Sequence, residues 1–239
     1  MPLPLILWSM KRSIRLAGAP PRLNACLSGR TVHAGGLYRV RLMLEVPFSF
    51  RPGDCIGVYG PKGNISRPYS LCGGTEEAEL ELLIRRIPGG RLSDWLYALP
   101  VGAPLQISPP FGWFHPGEAE HPEQVWFATG SGVAPFLSSL RSGGVRPLAA
   151  RWGVRRVEDL EGIEGPFERF VSRGAPGGCR AGRVTQALEA VRIGPEVHYY
   201  LCGLDRMIED VSAFLLARGV PEAHVHRECF FQGQEADLT

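Results

Sequence analysis

Four short stretches of this 239-residue sequence combine residue types suited to holding phosphate beside a flat ring. In Arg67-Pro-Tyr-Ser70 the arginine offers a bidentate charge, the tyrosine a flat face and the serine a small hydrogen-bonding group. Gly89-Gly-Arg-Leu-Ser93 opens a short helical stretch, Asp94 to Leu99, and glycines with a serine at a helix start leave backbone N–H groups for an anion. Ala128-Thr-Gly-Ser-Gly-Val-Ala-Pro135 runs from an apolar strand into a helix, where glycines admit a pyrophosphate to the backbone and the helix dipole favours its charge. Cys202-Gly-Leu-Asp-Arg-Met207 lies at a second strand-to-helix junction, on the carboxyl edge where open α/β sheets bind ligands.

The elements that must position these stretches differ between the two halves of the chain. In the first, Tyr38, Val40, Leu42, Leu44 and Val46 alternate with Arg39, Arg41 and Glu45, and Leu80, Leu82 and Ile84 alternate with Glu79 and Glu81. A period of two marks half-buried antiparallel strands. Turns at Arg51–Asp54, Gly60–Asn64, Cys72–Gly74 and Pro88–Gly90 cut them short, which predicts a barrel or sandwich of about six strands over residues 1–118. After His115–Pro122 the pattern changes to continuous apolar runs, Val125–Ala128 and Val197–Leu201, each leading to a helical repeat. Phe136, Leu137 and Leu140 form one repeat; Leu204, Met207, Ile208, Val211, Phe214 and Leu215 form the other. Buried strands alternating with amphipathic helices predict a doubly wound parallel sheet, a nucleotide-binding α/β domain over 119–239. The fold expected is thus two-domain, an antiparallel β-barrel and then the α/β unit, with 115–123 as the hinge.

Composition narrows the classes further. Hydrophobic residues make up 44% and charged residues 21%, and a net charge of +2 gives no reason to expect a nucleic-acid partner. The six cysteines, Cys26, Cys55, Cys72, Cys179, Cys202 and Cys229, show neither zinc nor iron–sulfur spacing and are expected as free thiols of a reducing compartment. The apolar start, Met1 to Trp8, precedes its positive charges, the reverse of a secretory signal. No stretch approaches the ~20 apolar residues of a membrane span, so the reading is cytoplasmic, with no membrane partner. His224-x-His226 has no ligand partner at matching spacing and is taken as the polar face of a late strand; no metal is expected. A hydrolase elbow of the Gly-x-Ser-x-Gly type and a P-loop lysine are both missing.

In their order and spacing the four stretches resemble the ferredoxin–NADP reductase family across roughly residues 25 to 232, nearest its bacterial-type members. The resemblance implies a flavin-binding barrel followed by a nicotinamide-nucleotide domain, in agreement with the two periodicities. It implies that Arg67 binds the FAD diphosphate, that Tyr69, after Pro68, packs on the isoalloxazine, and that Ser70 reaches toward N5. Gly90, Arg91, Leu92 and Ser93 would hold the flavin phosphates. Thr129, Gly130, Ser131 and Gly132 would face the NAD(P) pyrophosphate, and Cys202, with Gly203 and Met207, would border the nicotinamide. Glu228-Cys-Phe230 resembles the family's Glu-x-aromatic ending, so Ser70, Cys202 and Glu228 form the expected catalytic set. Plant-type members end on a tyrosine, whereas nine residues follow Phe230 here, as in bacterial members with extensions. Either Phe230 or Phe231 would then cover the ring.

NADP carries a 2′-phosphate that NAD lacks, and arginines select it. Ser172 and Arg173 in Phe170-Val-Ser-Arg173 resemble the Val-Ser-Arg stretch of NADP-using members, Arg183 follows ten residues on, and Arg155 is a third candidate. No acidic residue adjoins Arg173 to clamp a ribose diol. The reading favours NADP(H). The expected activity is hydride transfer from NADPH to FAD and delivery of electrons to a separate redox protein of the ferredoxin or flavodoxin class. A flavin reductase releasing reduced flavin and a non-catalytic flavoprotein subunit of a larger complex are the alternatives. Cys202, Glu228 and an intact glycine loop together favour an enzyme.

Overall fold

A computed structural model describes residues 21–61, 63, 65–174 and 177–229. The expectations placed on Met1–Trp8, Phe230 and Phe231 lie outside the described residues.

The first half forms β1 (Leu23–Val32), β2 (Leu37–Leu44), β3 (Cys55–Tyr59), β4 (Ser66–Ser70), β5 (Leu80–Arg85), helix α1 (Ser93–Ala98) and β6 (Pro104–Ile107). The strands pair antiparallel in the order β4-β3-β6-β1-β2-β5, and a Leu71–Leu82 bridge joins the two ends, closing a six-stranded barrel. Its core is the face the alternation marks: Tyr38, Val40 and Leu42 from β2 and Leu80, Leu82 and Ile84 from β5 are all buried. The expected stripe runs too far, because β2 ends at Leu44, which is half-buried, and Val46 is exposed.

The second half forms β7 (Gln124–Thr129), α2 (Ala134–Arg141), β8 (Ala149–Val154), β9 (Phe167–Val171), β10 (Arg180–Ala181), β11 (His198–Gly203), α3 (Asp205–Ala217) and β12 (Val225–Cys229). All strands run parallel in the order β10-β9-β8-β7-β11-β12. The order reverses between β7 and β11, so the crevice above their carboxyl ends is the switch point at which such sheets bind ligands. Trp126, Phe136 and Trp152 fill one face of this sheet, and Phe127, Val211 and Leu215 the other.

The barrel's outer face is only partly a solvent face. Leu37 and Leu83, on the side opposite the barrel core, join the cluster built on Trp126 and Phe136. Glu81, expected to point into water, is instead buried between Arg39 at 3.3 Å and Arg141 at 2.6 Å. Arg141 ends α2, so this ion pair ties the barrel to the α/β unit, and Ser138 Oγ adds a bond to the Gly73 carbonyl at 2.8 Å. The segment 115–123, expected as a hinge, is braced from both sides. The fully buried Gln124 accepts from Gly117 N and Trp126 Nε1 and donates to the carbonyls of Glu118 and His121. On the barrel side His115 Nε2 meets Asp54 Oδ1 at 2.9 Å and Glu118 pairs with Arg51.

Candidate active site

The end of β4 meets the end of β12 at the seam between the barrel and the parallel sheet. Ser70, 3% exposed, donates its hydroxyl to Glu228 Oε1 at 2.7 Å. Cys55 faces Ser70 across the β3–β4 ladder, with Sγ 3.4 Å from Ser70 Oγ and 3.7 Å from Glu228 Oε1. Cys202 is fully buried on β11, in register with Glu228 on β12 and Ala128 on β7. The three residues expected to be catalytic, Ser70, Cys202 and Glu228, therefore converge. Sequence reading missed Cys55; the signal was its place opposite Ser70 in a short hairpin.

The electrostatics of this cluster follow from burial. Loss of water raises the Glu228 carboxyl from its ordinary 4.5 to about 7, with the nearby Asp54 charge adding to the rise and the bonds from Ser70 and Cys55 opposing it. Burial likewise pushes the Cys55 and Cys202 thiols well above the usual thiol range, so both are neutral and neither is a nucleophile at neutral pH. Cys202 offers a small wall and Glu228 a carboxyl able to hold or release a proton near pH 7.

Along β4, Ser66, Arg67 and Pro68 are exposed and Tyr69 is half-buried against the barrel core. The Gly89–Ser93 turn leads into α1 as expected, but not all of its donors are available. Gly89 N–H donates to Asp94 Oδ2 at 3.2 Å, with Asp94 held by Arg86 at 2.6 Å, and Gly90 N–H donates to the Ile87 carbonyl at 2.8 Å. The glycines there serve the turn itself: a Cβ on Gly90 would lie 2.8 Å from the Ile87 carbonyl. Ser93 Oγ accepts from Ile87 N at 3.2 Å, and the Tyr38 hydroxyl donates to the Ser93 carbonyl at 2.7 Å. Leu92 is buried in the barrel core, whereas Arg91 is exposed.

At the switch point β7 passes into a single 3-10 turn, Gly130–Val133, and then α2. Gly130, at φ 54°, has open space where a Cβ would stand, and Trp152 Nε1 holds its carbonyl at 2.9 Å. Ser131 is half-buried. Gly132, expected to admit a pyrophosphate, also lets the loop approach the end of β11, since a Cβ there would lie 2.5 Å from the Cys202 carbonyl oxygen. The Thr129 hydroxyl accepts the Leu204 N–H at 2.8 Å, so its oxygen ties the two strand ends together. Gly203 (φ 133°) packs directly on Thr129. Met207 lies in the core with Val125, Tyr199 and Val211, because its helical position faces the sheet and not the edge.

A second group gathers further along the same edge. Arg173 N–H donates to the Arg155 carbonyl at 2.8 Å, Ser172 N–H to Val154 at 3.0 Å and Gly182 N–H to Val171 at 2.8 Å. These bonds place the loops carrying Arg155, Ser172, Arg173 and Arg183 side by side, all four residues exposed.

The model of an oxidoreductase FAD-binding domain matches residues 34–115. Ferredoxin–NADP reductase B of Sorangium cellulosum is 32% identical over 210 residues, covering 76% of this chain and 85% of that protein. A ferredoxin–NAD(P)+ reductase component of naphthalene 1,2-dioxygenase/salicylate 5-hydroxylase systems from a Ralstonia species is 32% identical over 214 residues, 81% of this chain and 64% of its own. Among solved structures, a cytochrome P450 reductase from Amycolatopsis superposes with a TM-score of 0.78 at 28% identity, covering 90% of this chain and 72% of that one. A Neisseria gonorrhoeae ferredoxin NADP+ reductase with bound FAD and NADP superposes at 0.76 with 21% identity, 88% of this chain and 99% of that one, a likeness of fold. The chain spans 59–65% of the length of three oxygenase-system relatives. No helix among the described residues is long and apolar enough to cross a membrane.

Proposed function

Since the chain belongs to the ferredoxin–NADP reductase family, we propose that it is an FAD-dependent NADPH oxidoreductase of the cytoplasm. It takes hydride from nicotinamide onto flavin and hands electrons to a separate acceptor protein of the ferredoxin or flavodoxin class. The observation that carries this reading is the 2.7 Å bond from Ser70 to Glu228, which brings a barrel serine and a half-buried carboxyl of the parallel sheet to one point beside Cys202. The division at 118/119, barrel for flavin and α/β unit for nucleotide, fits the braced segment between the two sheets. Relatives named as reductase components of oxygenase systems support a protein acceptor.

The donor set suits FAD. Arg67 is an exposed guanidinium on the strand that carries Tyr69 and Ser70, and Arg91 with the start of α1 provides a second place for a diphosphate. FAD, when bound, supplies the step from a two-electron donor to one-electron acceptors. The protein's own residues position and protonate: Tyr69 packs on the ring, Arg67 neutralises phosphate charge, Ser70 and Glu228 hold a proton at the seam, and Cys202 shapes the wall. Arg155, Ser172, Arg173 and Arg183 take the 2′-phosphate of NADPH. Mixing the purified protein with NADPH without oxygen should bleach its yellow band, and gel filtration should leave the flavin on the protein. A band that NADPH leaves unchanged refutes the reductase, and flavin eluting freely points to a flavin reductase instead.

Two further outcomes test the parts separately. Arg67→Ala removes a charge-assisted contact of about 1.5–3 kcal/mol, so flavin affinity should fall by one to two decades at ~1.4 kcal/mol per decade. Fluorescence titration of FAD into deflavinated protein reads this directly, and unchanged affinity removes Arg67 from the site. Replacing Arg173 and Arg183 together by alanine should raise KM for NADPH much more than KM for NADH. An unchanged NADPH/NADH ratio of kcat/KM would show that these arginines only solvate the loops.

A further inference from the structure

Away from the seam, the parallel sheet assembles histidines that are remote in sequence. His198 begins β11, His226 lies near the start of β12, and His121 sits on the braced segment before β7. Their rings stack, with centroids 3.7 Å apart for His121 and His198 and 5.5 Å apart for His121 and His226. His198 Nδ1 lies 2.9 Å from His226 Nε2, and one nitrogen from each of the three rings lies within 4.8 Å of the others. A fourth ring, His224, stacks on His198 at 4.2 Å, and its Nδ1 is buried with no hydrogen-bond partner.

We propose that His121, His198 and His226 bind one divalent transition-metal ion of the zinc class at the amino-terminal edge of the parallel sheet. Imidazole nitrogens, with no carboxylate among them, are the donors that suit zinc, copper and nickel rather than magnesium or calcium. Two nitrogens on one tetrahedral zinc, each at ~2.0–2.1 Å, stand roughly 3.3 Å apart. The 2.9 Å His198–His226 spacing is close to that, and binding would turn the stacked rings until their nitrogens converge on the ion. Three protein nitrogens leave a fourth position for water or for His224.

The surroundings hold the ligands in place. Gln124 Nε2 donates to the His121 carbonyl at 2.6 Å, His198 N–H donates to Glu123 at 2.9 Å, and the Tyr200 ring lies 4.3 Å from that of His226. These contacts fix the main chain of His121 and His198 and one face of the His226 ring. The three ligands come from a connecting segment and two neighbouring strands, so the ion is a clamp on the tertiary fold. It lies opposite the nucleotide edge: Cys202, four residues beyond His198, is about 13 Å along the strand at ~3.3 Å per residue. Glu228 follows His226 by two residues on the same strand face, so the ion would fasten the base of the strand that carries the seam carboxyl.

Zinc chloride titrated calorimetrically into tag-free full-length protein should show one saturable site per chain. At a free concentration a hundredfold above the dissociation constant, Tm should rise by about 5–10 °C. Cobalt(II) in place of zinc should give the visible bands of tetrahedral coordination. His121→Gln, on a connecting segment, and His226→Gln, each with wild-type circular dichroism, should lose those bands and the Tm rise. Cys229→Ser, which removes an exposed thiol, should keep both. The proposal is overturned by the absence of saturable binding, by binding that survives both histidine changes, or by binding that Cys229→Ser abolishes.

Discussion

Glu228→Gln is expected to stabilise the protein above neutral pH and, in the same molecule, to slow its reduction by NADPH by about two to three decades. The stability arm follows from linkage. Burial raises the folded-state pKa of Glu228 from 4.5 to about 7, so the unfolded chain releases this proton more readily than the fold does. The contribution is therefore complete below about pH 4.5 and is lost as pH rises through 7. At ~1.4 kcal/mol per pH unit the loss reaches about 3 kcal/mol by pH 8. Glutamine keeps an oxygen to accept from Ser70 but has no proton to lose. Urea denaturation with a metal chelator present should find the variant ahead of wild type by roughly that amount at pH 8 and nearly level at pH 5. An equal difference at both pH values would mean the carboxyl is not buried uncharged. The rate arm rests on position: a desolvated carboxyl titrating near neutral pH at a seam is costly unless it serves function. Stopped-flow reduction at saturating NADPH measures it, and a wild-type rate would make Glu228 a packing residue.

The fold was legible because each half carries its own period. Alternation on β2 and β5 marks the barrel core, and apolar runs followed by helical repeats mark β7, β11, α2 and α3. What escaped is what depends on a partner distant in sequence. Glu81 reads as a solvent residue because its strand neighbours alternate correctly; only the docking of α2, sixty residues on, encloses it with Arg141. Leu83 escaped likewise, its side being polar in the pattern yet covered by the second core.

The site shows the same division. Motif spacing located Ser70, Cys202 and Glu228, because each lies at a strand end whose type the sequence reveals. It did not foresee the packing duty of Gly132, since a glycine beside a ligand and one beside a neighbouring strand look identical in one dimension. Met207 and Leu92 fell inside motifs but point into cores, a matter of helical phase and not of motif membership. The histidines were invisible as a group: at positions 121, 198 and 226 they share no spacing, and strand register alone unites them.

The packing role of the glycines leads to the second large effect. Gly203→Ala should lower Tm by about 10 °C and abolish nicotinamide binding while sparing bound flavin. At φ 133° an L-side chain is strained, and its Cβ would lie 2.7 Å from the Thr129 carbonyl oxygen and 3.0 Å from its nitrogen, both of them backbone atoms. Neither atom can rotate aside, so β7 and β11 must part at the switch point. Strain and forced displacement together cost about 3–5 kcal/mol, and ~2–4 °C per kcal/mol is the conversion for a chain of this size. Parting the strands also breaks the Leu204–Thr129 bond and shifts the start of α2, the helix end expected from the sequence to face pyrophosphate. The residues proposed to hold flavin, on β4 and before α1, are on the barrel and keep their places. Gly130→Ala is the matched comparison: its φ of 54° is also left-handed, but no atom lies within 4 Å of the added carbon. It should cost only about 1–2 kcal/mol. Thermal unfolding of both variants, with flavin content and NADPH titration measured alongside, separates strain from collision. If the two glycines prove equally costly, the tight contact between the strand ends is not what holds the nucleotide loop.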